Sequence, residues 1–293
     1  MLHCWLAERT RIMAVKRVGI AYHPLNEAAH SLSKKLARYL DSSGVPAWLC
    51  SAWETDELTA KVPDTDLVLT AGGDGTILRV AQAVMGYGVP ITGINLGQLG
   101  FLAEISANEA MDKLPDLLDG KGWIDERSVL EARLTPATGK KNDEIFYALN
   151  DAVVARGGIA RIIYVEASIN SRRLTSYKAD GVMVSTATGS TGYSLSAGGP
   201  VLPPQADEFL LTPILPHPGM GYSLVLEPDT VAGLKVRTYH QATLSVDGHL
   251  NRDLSTGDSL TVKQSDTRIR FLRLSPRDYF YTTLEQKLKV NRQ

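Results

Sequence analysis

One carboxylate sits in a turn of nearly bare backbone, Gly72-Gly73-Asp74-Gly75-Thr76. The preceding run, Leu67-Val68-Leu69-Thr70, reads as a short buried strand, and Ile77-Leu78-Arg79-Val80-Ala81 begins a helix. Glycines at a strand-to-helix turn permit positive φ and let a bulky anion approach the main chain. The helix start adds unpaired N–H groups and a positive dipole end, both suited to phosphate. An acidic side chain there is a poor phosphate ligand by itself. It makes chemical sense if it holds Mg²⁺ or accepts a proton from a hydroxyl. A tight βα turn with Asp74 as helix N-cap is the competing structural reading.

Other segments carry chemistry of the same kind. Gly93-Ile94-Asn95-Leu96-Gly97-Gln98-Leu99-Gly100-Phe101 leaves an apolar run with three glycines, so a second loop can approach a ligand closely. Leu149-Asn150-Asp151 sets an amide beside a carboxylate, which taken alone reads more naturally as an Asx turn. Ala179-Asp180-Gly181 and then Thr186 to Pro200 (TATGSTGYSLSAGGP) gather hydroxyls, glycines and one tyrosine. Such a loop suits the ribose and phosphates of a nucleotide, although a polar surface loop has the same composition. No GxxxxGK[ST], GxGxxG or GxSxG sequence is present, which excludes an ordinary P-loop kinase, a standard Rossmann dehydrogenase and an α/β-hydrolase elbow. The six histidines are scattered, and His217 reads as a loop residue with a structural hydrogen bond.

These segments need a scaffold. From Arg17 to about Gly122 strand and helix signals alternate: strands at Arg17–Tyr22, Val45–Cys50, Leu67–Thr70 and Ile91–Asn95, and a helix over Asn26–Ser42. Ser106-x-x-Glu109 has the form of a capping box opening a further helix. This order predicts a mostly parallel α/β sheet with ligands at the strands' carboxyl ends. From about Trp123 short alternating runs separated by turns such as Asp247-Gly248 predict an antiparallel, sandwich-like β-rich domain. Helical periodicity returns only at Pro276–Lys289. The expected division is an N-terminal tail (1–16), the α/β domain (17–122), the β-rich domain (123–274) and a C-terminal segment (275–293).

At 293 residues and a formal net charge of −1, with 44% apolar and 22% charged residues, the composition is that of an ordinary globular protein. It argues against nucleic acid or a membrane as partner. Two cysteines without metal-ligand spacing point to a reducing, cytoplasmic setting. The residues before Met13 lack the apolar core of a signal peptide, and read as a frayed tail or as residues upstream of a start at Met13.

In their order and wording these motifs resemble those of the NAD kinases: Gly72–Thr76, Gly97–Phe101, Leu149–Asp151, Asp180-Gly181, Thr188–Pro200 and Pro213–His217. Lipid kinases and phosphofructokinases carry related versions of the first motif, but not the series. The resemblance runs from Arg17 to about Leu284. It implies Mg²⁺-dependent (or other divalent-cation-dependent) transfer of the ATP γ-phosphoryl to the 2′-hydroxyl of the adenosine ribose of NAD, giving NADP. It implies Asp74 as catalytic acceptor of the hydroxyl proton, and a nucleotide site drawing on Asp74, Gly75, Thr76, Arg79 and Phe101. Asn150 and Asp151 would hold the ribose and adenine side. Arg161, Lys178 and Asp180 would add polar contacts, with Asp180 near the nicotinamide. Thr188, Thr191, Gly192, Tyr193, Ser194, Leu195 and Ser196 would line the loop around the dinucleotide, with His249 nearby. The resemblance also implies that the C-terminal segment (275–293) packs back on the α/β domain, and that the working form is a homodimer or homotetramer.

The chain departs from the family wording at four of these positions. Asp151 replaces a usual glutamate, Gly192 an alanine, Lys178 a frequent arginine and His249 a common glutamine. Two other readings compete: a kinase of the same fold acting on a lipid or other alcohol, and a pyridine-nucleotide sensor without turnover. The hydroxyl-rich loop argues against the first, and Asp74 beside phosphates argues against the second.

Overall fold

The structure, a computed structural model, describes residues 15–97, 100–137, 142–158, 161–217, 221–238 and 240–290. The tail before Met13, the Gln98-Leu99 pair and Pro218–Met220 lie outside the described residues.

The chain begins with β1 (Val18–Tyr22), α1 (Glu27–Ser42), β2 (Ala47–Ser51), α2 (Thr55–Lys61) and β3 (Leu67–Ala71). It continues through α3 (Asp74–Val84), β4 (Ile91–Asn95), β5 (Ile105–Ser106) and α4 (Ala110–Leu118). A run of strands follows: β6 (Trp123–Thr135), β7 (Glu144–Ala148), β8 (Asp151–Arg156), β9 (Ile163–Ile169), β10 (Arg172–Ala179) and β11 (Gly181–Ser185). After the single-turn α5 (Tyr193–Ser196) come β12 (Phe209–Ile214), β13 (Leu224–Leu226), β14 (Ala232–Val236), β15 (Ala242–Val246), β16 (Leu250–Leu254) and β17 (Ser259–Arg273). The helix α6 (Tyr279–Val290) closes the chain. The described residues form two units, one of residues up to Asp125 together with those from Arg270 onward, the other Glu126–Ile269.

In the first unit β2, β1, β3 and β4 lie side by side in that order, all parallel. At β4 the end of β17 joins them, with Phe271 opposite Ile91. β3 and β4 are buried at every position, so neither shows the polar–apolar alternation of a strand with one face in water. The helix α1 starts where Asn26 accepts the Ala29 N–H at 3.1 Å, a side-chain N-cap. It then buries Leu32, Leu36 and Leu40 along one face, against Ile20 and Leu69 of the sheet. Near Ser106 the expected capping box is only half formed. Glu109 accepts the Ser106 N–H at 3.2 Å, but the helix begins at Ala110.

The order 2-1-3-4 reverses direction between β1 and β3. Loops leaving the carboxyl ends of those two strands therefore diverge and open a crevice, the place where α/β sheets bind ligands. The Gly72–Gly75 turn leaves β3 at that point, and the His23 N–H binds the Ala71 carbonyl beside it at 3.0 Å.

The second unit is antiparallel throughout its registered pairs. One sheet runs β13-β12-β11-β8-β15-β16, and a second layer includes β10-β9-β14-β17. Val154, Val184 and Leu244 of the first meet Val165, Leu234 and Val262 of the second in one apolar core, the sandwich expected from alternating strands. β15 and β16 are joined by Asp247-Gly248-His249, with Asp247 and Gly248 both at positive φ (48° and 70°), the backbone of a primed turn that the His249 N–H closes on the Val246 carbonyl at 3.2 Å.

Leu69 is fully buried in the most central parallel strand. Leu69→Ala should cost about 2–5 kcal/mol of stability, read as a lower urea midpoint at unchanged slope.

Candidate functional site

Asp74 is the first residue of α3, and Gly73 is the N-cap. Its carboxylate does not cap its own helix. One oxygen accepts the N–H of Phe101 at 2.8 Å and the other that of Leu102 at 3.1 Å. Gly100 makes this possible, because a Cβ there would collide with the carboxylate. The glycine-rich segment after β4 therefore makes room for Asp74 itself, where the sequence suggested a close approach to a ligand. Each carboxylate oxygen carries a second lone-pair direction that these two amides leave free. Gly73 and Gly75 are exposed, with open space where a Cβ would stand. The first-turn N–H groups of α3 thus face outward with little side-chain cover. Thr76 is buried, its hydroxyl under Gly72 and without a hydrogen-bond partner among the described residues. Further along the helix the Arg79 guanidinium lies 4.4 Å over the Trp53 ring, a cation–π contact that fixes the arginine's direction. The Phe101 ring stands 5.5 Å from the Lys287 ammonium.

The second unit holds a cavity of about 430 Å³ lined by Asn150, Asp151, Val153, Ala155, Tyr193, Ser245, Asp247 and Gly248. Its organiser is Asp247, which the sequence offered only as a turn residue. The Asp247 carboxylate accepts three consecutive main-chain N–H groups, from Leu149 at 2.9 Å, Asn150 at 2.7 Å and Asp151 at 3.1 Å. The Asp247 N–H in turn binds the Asp151 carbonyl at 3.0 Å. Asn150-Asp151 is thereby a built corner rather than a free Asx turn. Burial, with the Asp247 charge as a second cause, pushes the Asp151 carboxyl up to about 7. The Asn150 Oδ1 is buried with no hydrogen-bond partner among the described residues, an acceptor awaiting a donor.

The hydroxyl-rich loop packs directly on this corner. The Thr186 hydroxyl donates to the Leu149 carbonyl at 2.6 Å, and Gly189 lies so close to the Asn150 carbonyl that no side chain would fit. Not every hydroxyl faces the cavity. Thr188 accepts from Arg127 at 3.2 Å, Thr191 donates to the Thr188 carbonyl at 3.2 Å, and Ser194 is buried against Thr212. Gly192 caps α5, in which Leu195 is half-buried and Ser196 exposed. Tyr193, 49% exposed, is the residue of this loop that lines the cavity.

The remaining expected residues are spread around this unit. Asp180 pairs with Arg156 at 3.1 Å, and Lys178 is exposed with its ammonium 6.0 Å from the Tyr164 ring. Arg161 is exposed. The His249 ring meets the Asp247 carbonyl at 3.0 Å, one more tie on the same turn. Sequence reasoning missed Asp247, Arg156 and Arg127. The signal for Asp247 was its place in an Asp-Gly hairpin, which hid a buried carboxylate behind an ordinary turn.

Among the described residues no three His, Cys, Asp or Glu side chains gather as a metal site. A donor set this sparse fits a Mg²⁺ carried mainly by substrate phosphates with one or two protein carboxylates, and does not fit a resident cage.

Known proteins were compared with the chain. Residues 6–122 match the model of the ATP-NAD kinase N-terminal domain and residues 149–274 that of the ATP-NAD kinase C-terminal domain. An NAD kinase of Dehalococcoides mccartyi is 54% identical over 276 residues, 94% of this chain and 97% of the relative. One of Chloroflexus aurantiacus is 39% identical over 275 residues, covering 94% and 99%. Among solved structures, a yeast NADH kinase complexed with NADH superposes with a TM-score of 0.85 at 24% identity, over 94% of this chain and 88% of that one. An NAD kinase from Archaeoglobus fulgidus in complex with ATP gives 0.73 at 25% identity, over 93% and 98%.

Asp151 carries a testable pH signature. A buried carboxyl raised to about 7 is protonated in the folded state at pH 5 but ionised in the unfolded chain, where it titrates near 3.8. Stability is therefore lost as pH rises from about 4 through 7. Asp151→Asn cannot ionise, so it should match the parent's Tm at pH 4 and exceed it by about 3 °C or more at pH 8. Thermal melts across that range decide it.

Proposed function

The chain belongs to the NAD kinase family, and on that premise we propose that it transfers the ATP γ-phosphoryl to the 2′-hydroxyl of the adenosine ribose of NAD, yielding NADP and ADP. The observation that carries the assignment of Asp74 is its carboxylate, fixed by two amides at the open end of α3 and with free lone-pair directions on both oxygens.

In the proposed step the 2′-oxygen forms a bond to the γ-phosphorus as the bond from that phosphorus to the β,γ-bridging oxygen breaks. The electron pair of the breaking bond leaves with ADP, and the hydroxyl proton passes to Asp74. The transition state of such a transfer is loose, so the protein's work is positioning and charge stabilisation. Main-chain N–H groups at Gly73–Gly75 suit the phosphate oxygens. Arg79, steered by Trp53, adds a fixed positive charge. A magnesium ion, for which the donor phosphates and the Asp74 carboxylate would be the ligands, would supply charge neutralisation.

Asn150 and Asp151 bind the coenzyme's adenosine side. The unpartnered Asn150 Oδ1 accepts a ribose hydroxyl or an adenine amine. Asp151 stands where the family more often has glutamate. Its shorter side chain is offset by the Asp247 clamp, which fixes its main chain. Tyr193 supplies an aromatic wall to the same cavity. Phe101, Thr76, Arg161, Lys178, Asp180, His249 and the 188–196 loop complete the proposed set. Of these, Thr188 and Ser194 act by shaping the loop, since their hydroxyls are already engaged. A cytoplasmic homodimer or homotetramer is the proposed working form.

Asp74→Ala should lower kcat for NADP formation by at least about 10²-fold, roughly 2.7 kcal/mol of barrier, with an unchanged circular dichroism spectrum. A folded variant with full activity in an assay of NAD, ATP and Mg²⁺ would sink the assignment of Asp74. Parent protein that binds NAD but forms no product would instead be a sensor.

A further inference from the structure

The C-terminal end of β17 carries a buried cluster that no motif announces. Arg273 is 6% exposed, Glu104 7% and Asp125 2%. The Arg273 Nε donates to Asp125 at 3.1 Å, and a terminal nitrogen reaches both Glu104 at 3.3 Å and the Leu102 carbonyl at 2.8 Å. The other Glu104 oxygen accepts the N–H groups of Leu274 at 2.8 Å and Ser275 at 2.6 Å. Two buried carboxylates thus face one guanidinium. A pair of apolar residues of equal volume could stabilise the fold as well, so stability alone gives weak reason for such a cluster.

Its position supplies a reason. Leu102 is held from both sides of its backbone, with its carbonyl on Arg273 and its N–H on the Asp74 carboxylate. Two residues on, Glu104 ties the same loop to the main chain after β17. The Arg273 guanidinium also lies 4.6 Å over the Phe271 ring, which is fully buried in the strand beside β4. The loop that binds Asp74 is therefore anchored to the end of β17 through Glu104 and through the planar Arg273 guanidinium, which donates to three acceptors.

We propose that Arg273, oriented by Glu104 and Asp125, is a positioning residue for phosphoryl transfer: by holding the Leu102 carbonyl it fixes the main chain at Leu102, whose N–H aims the Asp74 carboxylate. This rests on the proposed role of Asp74. Arg273 touches no substrate. Its effect on the reaction should pass entirely through Asp74.

Arg273→Lys keeps the charge but cannot serve three acceptors in a plane, because an ammonium is a point donor on a flexible stem. It should lower kcat about 10-fold, leave the KM values for NAD and ATP within about twofold, and speed hydrogen exchange at the Phe101 and Leu102 amides. A double-mutant cycle separates positioning from a general structural role. In an Asp74→Asn background, Arg273→Lys should change residual kcat by less than about twofold. Equal losses in both backgrounds would overturn the proposal, as would an unchanged kcat or unchanged exchange at those two amides while Asp74→Asn is inactive. An Asp74→Asn protein with full activity would overturn this proposal and the role of Asp74 together. Should Arg273→Lys fail to fold, Phe271→Leu removes the ring under the guanidinium and keeps all three acceptors; a kcat loss and faster exchange at the same amides then support the proposal, and neither change overturns it.

Discussion

Two consecutive main-chain N–H groups on one carboxylate are the constraint around which the first unit is arranged. Asp74 can meet Phe101 and Leu102 only if nothing projects from position 100. That contact joins the turn after β3 to the loop after β4, neighbouring strands of one parallel sheet. A hydrogen bond to an ionised group is stronger than a neutral one, so the pair holds the carboxylate in a single orientation. Proton acceptance by a carboxylate depends on geometry to a fraction of an ångström, and a free aspartate on a glycine turn would lack it.

The second unit uses the same device for a different purpose. Asp247 takes three successive N–H groups and so dictates the path of the chain through Leu149, Asn150 and Asp151. Here the clamping carboxylate is structural, while the residues it clamps face the cavity. Two carboxyl groups then share a nearly dry corner, and Asp151 retains its proton well above the ordinary carboxylate range. Gly189 completes the corner by letting the hydroxyl-rich loop lie against the Asn150 backbone. The chemistry of both units is built from backbone amides, with side chains chosen for shortness.

Much of this was legible in the residues. The parallel strands announced themselves as apolar runs, and the Asn26 cap with Leu32, Leu36 and Leu40 marked α1 within a residue of its start. The glycine turn and the 186–200 loop stood out by composition, whereas the Asn150-Asp151 pair read alone as an Asx turn and stood out only through the family resemblance. What stayed hidden has a common physical cause. Asp247, Arg156 and Arg273 act over separations of about 100, 24 and 171 residues in the chain, which no local period reports. A buried guanidinium between two carboxylates looks, in sequence, like any charged residue on a strand. Gly100 was noticed, but its reason, a neighbouring carboxylate, belongs to tertiary structure. The strands β11 and β12 escaped because the second unit was read by alternation, which strands buried at every position do not show.

The order in which the ribosome delivers these parts has its own consequence. Glu126–Ile269 is one continuous stretch, so the sandwich has every strand it needs once that stretch has emerged. The parallel sheet does not. Its β17 partner for β4 and the arginine behind Leu102 come after that stretch in the chain. The unit that begins first is thus finished after the sandwich, and its glycine turn gains its full set of supports only once Arg273 has emerged. Nascent chains stalled before Arg273 carry a complete sandwich joined to an Asp74 whose partner loop is not yet braced from behind.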